Sequence, residues 1–215
     1  MKKLQHIIMI ALILLGLVTP ALAQEQTDDF NVSAKHAIAI EATTGKVLYE
    51  KDATTPDGVA SMTKILTAYM VYKAVDQGKI TWDTEVDISD YPFNLTVDSE
   101  VSNVPLDSRK YTVKQLLDAT LISSANSAAI ALAEKISGSE SAFVDTMTAQ
   151  LKEWGITDAK LYNASGLNNK YLGDNRYPGS KPDDENTMSA LDVAIIAYHL
   201  IKDYPQVLEI TKQTE

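Results

Sequence analysis

Ala60-Ser61-Met62-Thr63-Lys64-Ile65-Leu66-Thr67 marks the place where a loop carrying Pro56 and Gly58 gives way to a helical pattern. Ile65, Leu66, Tyr69, Met70 and Tyr72 continue that pattern to about Gln77, where Gly78 supplies a stop. The spacing predicts a helix with Ser61 in its first turn. Residues three apart on a helix lie side by side, so the Ser61 hydroxyl and the Lys64 amine share a face. The first turn also presents unpaired N–H groups and the positive end of the helix dipole, which favour developing negative charge. A serine hydroxyl is a poor nucleophile until a neighbouring base takes its proton. A lysine can be that base when desolvation or nearby cations depress its pKa. An S-x-x-K pattern alone arises about once by chance in a chain of this size, and its plain reading is a helix cap followed by a solvated lysine.

Residues 34–41 (AKHAIAIE) read as a strand, 42–45 as a turn ending in Gly45, and 46–50 as a returning strand. This hairpin is expected to belong to a buried antiparallel sheet. A two-stranded hairpin is not stable alone. No later segment before residue 215 clearly supplies partner strands, so the sequence looks truncated on its C-terminal side. Residues 81–110 are polar with short β-like runs and are expected to wrap the surface. Helices are predicted over 112–122, 127–136 and 139–154, with Gly138 and Gly155 as stops, and two last helical stretches over 188–202 and 205–212. Residues 161–167 (LYNASGL) form a short extended piece and turn, and 168–186 a Gly/Pro/Asp-rich loop. Ser124-Ala125-Asn126 falls in the tight corner between two helices, where small polar residues also suit a plain turn and cap.

The first residues read as a targeting segment. Lys2 and Lys3 precede an apolar run over 7–18, and Ala21-Leu22-Ala23 is a small-residue cleavage signal before Gln24. The expected division is a signal peptide over 1–23, a polar, flexible leader over 24–33 and one domain over 34–215, helical mainly across 61–165. The formal net charge is −10, and loss of Lys2 and Lys3 makes the exported chain more acidic. No cluster of Lys or Arg breaks that acidity, which excludes nucleic acid as a partner. The chain has no cysteine, so a thiol nucleophile, a thiolate metal site and disulfides are excluded. Beyond His6 only His36 and His199 remain, neither in an H-E-x-x-H pattern, so no zinc hydrolase, metal or cofactor is implied.

Strand hairpin, S-x-x-K at a helix start, then S-x-N between two helices: in that order the chain resembles the N-terminal part of the low-molecular-mass penicillin-binding proteins, serine-type D-Ala-D-Ala carboxypeptidases. The likeness runs through Glu41-Ala42-Thr43-Thr44-Gly45-Lys46-Val47-Leu48-Tyr49, residues 60–67, residues 121–129, Asn163-Ala164-Ser165-Gly166-Leu167 and residues 190–204. It implies an α/β (α+β) fold of β-lactamase/transpeptidase type, an antiparallel sheet flanked by helices plus a helical subdomain. It further implies Ser61 as acylated nucleophile, Lys64 as general base, Ser124 as proton relay to the leaving D-alanine and Asn126 as a substrate-binding residue. The backbone N–H of Ser61 would be one oxyanion-hole donor. Residues 163–167 would shape the site. The implied partners are peptidoglycan stem peptides ending in D-Ala-D-Ala, with β-lactams as inhibitors, outside the cytoplasmic membrane. Membrane association would come only through a C-terminal anchor absent from these residues.

Ser127 stands where the family commonly has aspartate, and Thr148 where it commonly has asparagine. The family's third motif, K-[ST]-G on a strand, is missing; Lys212-Gln213-Thr214 matches in letters only. The 215-residue chain is therefore expected to acylate weakly or to be inactive alone. A class A β-lactamase is an alternative reading, but it needs a glutamate on a loop after S-x-N, and residues 160–167 hold no acid. A non-catalytic envelope fragment is another. A Ser-His-Asp hydrolase lacks any G-x-S-x-G elbow here.

Overall fold

Two apolar segments with helical period flank the S-x-x-K stretch and the S-x-N corner, and both form helices around a shared core. A computed structural model describes residues 30–97 and 100–213; the expected signal segment, 1–23, lies outside them. From Ala34 on the described residues form one unit. In chain order its strands are β1 (Ala37–Ile40), β2 (Val47–Lys51), β3 (Asp57–Gly58), β4 (Glu85–Asp87), β5 (Lys110–Thr112) and β6 (Thr187–Met188). Its helices are α1 (Thr63–Asp76), α2 (Asp90–Leu95), α3 (Val113–Ile122), α4 (Asn126–Ser137), α5 (Glu140–Glu153), α6 (Ala190–Asp203) and α7 (Leu208–Thr211).

α1 is the central element. Leu66, Ala68, Tyr69, Val71, Tyr72 and Ala74 are all buried, and with the buried Thr63, Lys64 and Thr67 they leave no side of it facing solvent. A helix buried on every side belongs inside a domain, and α3, α4, α5 and α6 all pack against it. Phe143 of α5, Leu117 of α3 and Leu132 of α4 are fully buried in the same core. The surrounding helices start where side chains satisfy their first N–H groups. Thr112 and Gln115 form a reciprocal capping box at α3, Ser189 and Asp192 form another at α6, and the Ser139 hydroxyl accepts from the Ala142 N–H at α5.

Several boundaries differ from the sequence reading for identifiable reasons. Ala60–Met62 forms a 3₁₀ turn ahead of α1, so Ser61 precedes the α-helix rather than sitting in its first turn. The chain enters that turn from β3, which pairs with β6, and the Val59 N–H donates to the Asn186 carbonyl. Two-residue strands leave no periodic trace in sequence. The segment over 81–110 is more than a surface wrap. It contributes β4, β5 and α2, and it buries Val86, Ile88 and Leu106 in the core. The β1–β2 hairpin forms in the expected antiparallel sense, with Ala37 opposite Lys51. Among the described residues it has no third strand; it leans on α6 instead, and Val47 and Leu48 remain exposed.

Candidate active site

Lys64 is the second residue of α1, which directly follows the 3₁₀ turn, and its side chain points into the protein with only 3% of the residue exposed. Its ammonium donates to three oxygens: Ser61 Oγ at 3.0 Å, Asn126 Oδ1 at 2.8 Å and the Ser165 carbonyl at 2.8 Å. No carboxylate is among those partners. Burial pushes the amine down from 10.5 to about 8, so near neutrality a useful fraction is the neutral base. Ser61 itself is exposed. A buried amine of depressed basicity next to a solvent-facing hydroxyl is the arrangement that proton abstraction needs.

Ser61, Lys64 and Asn126 are thus joined in one hydrogen-bonded group. Asn126 opens α4, accepts from Lys64, and donates through Nδ2 to the Ser102 carbonyl at 2.9 Å. Its amide retains one further N–H for a ligand. Ser124 sits in the corner between α3 and α4 with φ of +54°, the left-handed region that non-glycine residues avoid. Among the described residues no hydrogen bond joins its hydroxyl to Ser61 or Lys64. Ala60, immediately before Ser61, also has positive φ, at +43°. Local strain therefore flanks the candidate nucleophile and occupies the S-x-N corner.

The third wall is the turn over 163–167. Asn163 is fully buried, and its Oδ1 accepts from Ser165 N, Ser165 Oγ and Gly166 N at 3.2, 3.2 and 2.6 Å. Its Nδ2 donates to the Leu167 carbonyl at 2.7 Å. One amide thus folds the turn that aims the Ser165 carbonyl at Lys64. Asn163→Ala is expected to lower unfolding stability by roughly 2–4 kcal/mol, since it strands several buried donors at once; chemical denaturation measures this.

Residues missed in the sequence tie this turn to α1. Thr67 Oγ1 donates to the Ala164 carbonyl at 2.6 Å, and Asn186 Nδ2 donates to Thr63 Oγ1 and to the Asn163 carbonyl at 3.0 and 2.9 Å. Asn103 Oδ1 accepts from the Ser127 N–H at 2.7 Å, closing the start of α4. Thr63, Lys64 and Thr67 carried a signal: they are polar positions at helical spacing inside an otherwise apolar helix. Asn103 and Asn186 carried none, because each acts across more than twenty residues of chain.

The model of peptidase family S11, D-alanyl-D-alanine carboxypeptidase, matches residues 22–215. The chain belongs to this carboxypeptidase family. It is 34% identical over 214 residues to D-alanyl-D-alanine carboxypeptidase DacF of Bacillus subtilis, covering 98% of this chain and 50% of that one. To DacC of Escherichia coli K12 it is 30% identical, covering 91% and 46%. Among solved structures it is similar to the peptidoglycan synthesis regulatory factor PBP3 of Streptococcus pneumoniae, at 66% identity and a TM-score of 0.85, with 86% of this chain and 51% of that one covered. It is also similar to cefotaxime-bound penicillin-binding protein D2 of Listeria monocytogenes, at 27% identity and a TM-score of 0.71, covering 86% and 68%. The chain spans about half the length of the curated relatives it matches. The fold is that of the penicillin-binding proteins, helices with antiparallel strand pairs, seen over part of its extent.

Proposed function

We propose that the protein is a serine D-alanyl-D-alanine carboxypeptidase that trims the terminal D-alanine from peptidoglycan stem peptides through an acyl-enzyme on Ser61. The observation that carries this reading is the buried Lys64 amine, held at 3.0 Å from an exposed serine hydroxyl in a member of this family. Lys64 takes the Ser61 proton as Oγ attacks the carbonyl of the penultimate D-alanine. The C–N bond to the terminal D-alanine then breaks, and that amine leaves with a proton relayed through Ser124. Water attacks the resulting ester and frees Ser61 for another cycle. Asn126, with its spare amide N–H, meets the substrate backbone.

A β-lactam amide occupies the same place as the scissile peptide bond, so opening its ring leaves the acyl group on Ser61. The reading includes export through residues 1–23, a polar leader over 24–33 and action outside the cytoplasmic membrane. Among the described residues no helix is long and apolar enough to cross a membrane. Against a β-lactamase reading, residues 160–167 hold no acid. The nearby carboxyl that does reach this turn, Glu140, is buried with both oxygens engaged by Ala164 and Tyr91 rather than by open solvent.

The test is mass spectrometry of the protein, expressed from its complete reading frame, after incubation with penicillin. A single adduct of intact penicillin mass on the peptide carrying Ser61 is expected. No adduct, or an adduct on another residue, sinks the proposal.

A further inference from the structure

Glu140 is the first residue of α5, directly after its N-cap Ser139, and is 7% exposed. Its Oε1 accepts from the Ala164 N–H at 2.8 Å and its Oε2 from the Tyr91 hydroxyl at 2.9 Å. Among the described residues no lysine or arginine forms an ion pair with it. The titratable groups facing it are Tyr91 of α2 and, with like charge, Glu134 of α4. Burial drives the carboxyl up to about 7, against the pull of its two hydrogen bonds. A carboxyl buried with no cation is costly, and an apolar side chain would fill the space at less cost. Its contacts indicate what it does there. The peptide unit it grips is held at its other end by Asn186 Nδ2 on the Asn163 carbonyl, the following unit by Thr67 Oγ1 on the Ala164 carbonyl, and the next carbonyl in the chain, that of Ser165, accepts from Lys64.

Resting on the proposed roles of Ser61 and Lys64, we propose that Glu140 is the positioning residue for Lys64: by holding the Ala164 N–H it sets where the Ser165 carbonyl stands, and through that carbonyl it aims the amine at Ser61. α2, α5 and the turn over 163–167 are thereby linked to the reacting hydroxyl through one carboxyl. Glutamine can keep an acceptor on Ala164 and alanine cannot, so the two substitutions separate the acceptor from the charge.

The test measures penicillin acylation per folded molecule in the full-length protein, as a rate at saturation and as a noncovalent Kd, across pH. Glu140→Ala is expected to lower the saturating rate by roughly ten- to a hundredfold with Kd unchanged, the signature of a misaimed base. Glu140→Gln is expected to recover most of that loss. Its pH profile keeps the Lys64 limb near 8 and loses the step near 7 that Glu140 contributes. Wild-type rates in Glu140→Ala, or a fall in Glu140→Gln as deep as that in Glu140→Ala, overturn the proposal. If Glu140→Ala does not fold, Tyr91→Phe takes its place. It removes only the Oε2 partner and is expected to move the step upward in pH; an unmoved step overturns the proposal. If the wild-type protein forms no adduct at Ser61, the proposed function has failed, and positioning is read by NMR instead. The Ala164 amide and the Lys64 side chain should then both show a step near pH 7 that Glu140→Gln abolishes. A Lys64 signal indifferent to Glu140→Gln overturns it.

Discussion

On the proposed acyl-enzyme route, Lys64→Met is expected to slow penicillin acylation of Ser61 by roughly 10²- to 10⁴-fold, the span that removal of a positioned general base covers. Methionine takes away a buried amine that is costly to desolvate but leaves the Asn126 Oδ1 and Ser165 carbonyl acceptors without that donor, so the fold should survive with a stability loss of roughly 1–3 kcal/mol. In the wild-type protein the same group dictates the pH profile. Burial holds the Lys64 amine at about 8, below its ordinary 10.5, and only the neutral form accepts the serine proton. The rate should therefore be low in acid, climb toward 8 with the step near 7 that Glu140 contributes superimposed on the Lys64 limb, and level off above it. Stability follows the same sign. Between about 8 and 10.5 the unfolded chain binds more protons at this residue than the folded one, so its contribution to stability rises with pH across that window. A fluorescent penicillin read at a series of pH values checks the first claim, and denaturation at the same pH values checks the second. A flat rate profile would remove Lys64 from the role of base.

Gly166→Ala is expected to be the most damaging single methyl group at this site. Gly166 has φ of +79°, and a Cβ there would sit 1.7 Å from the Ala60 carbonyl oxygen and 2.8 Å from Thr63 Oγ1. A left-handed alanine alone costs about 1–2 kcal/mol. The overlap with backbone forces Ala60, and with it Ser61, to move. A loss of at least about 3 kcal/mol in stability is expected, together with loss of Ser61 acylation in whatever fraction still folds. Gly138→Ala is the matched comparison. It has φ of +81° with nothing within 4 Å of the added carbon, so only the conformational cost of about 1–2 kcal/mol applies. Thermal melts of the two variants side by side separate overlap from strain. Equal shifts would show that the turn over 163–167 can move away from Ala60.

The parts of the site that were legible in sequence are those written by local spacing. Ser61 and Lys64 are three residues apart, and a helical turn brings them together whatever surrounds them. The corner at Ser124-Ala125-Asn126 was visible because two strongly periodic helices leave no other place for it. The same holds for α3, α4 and α5, whose caps at Thr112 and Ser139 and stop at Gly138 appear as letters before the apolar run begins or after it ends. The short strands β3 and β6 and the helix α2 were illegible, since elements of two to six residues carry too few side chains to show a period.

From the amino-acid sequence alone come the helical core, the order of its motifs, the family, and the candidate pair of hydroxyl and amine. Tertiary structure alone decided that the amine is dry and aimed. Burial of Lys64 depends on α4 arriving with Asn126 and on the turn over 163–167 arriving with Ser165, contacts made across about sixty and a hundred residues of chain. Desolvation is a property of what surrounds a group, and the basicity of Lys64 was set by neighbours that its own stretch of sequence does not contain.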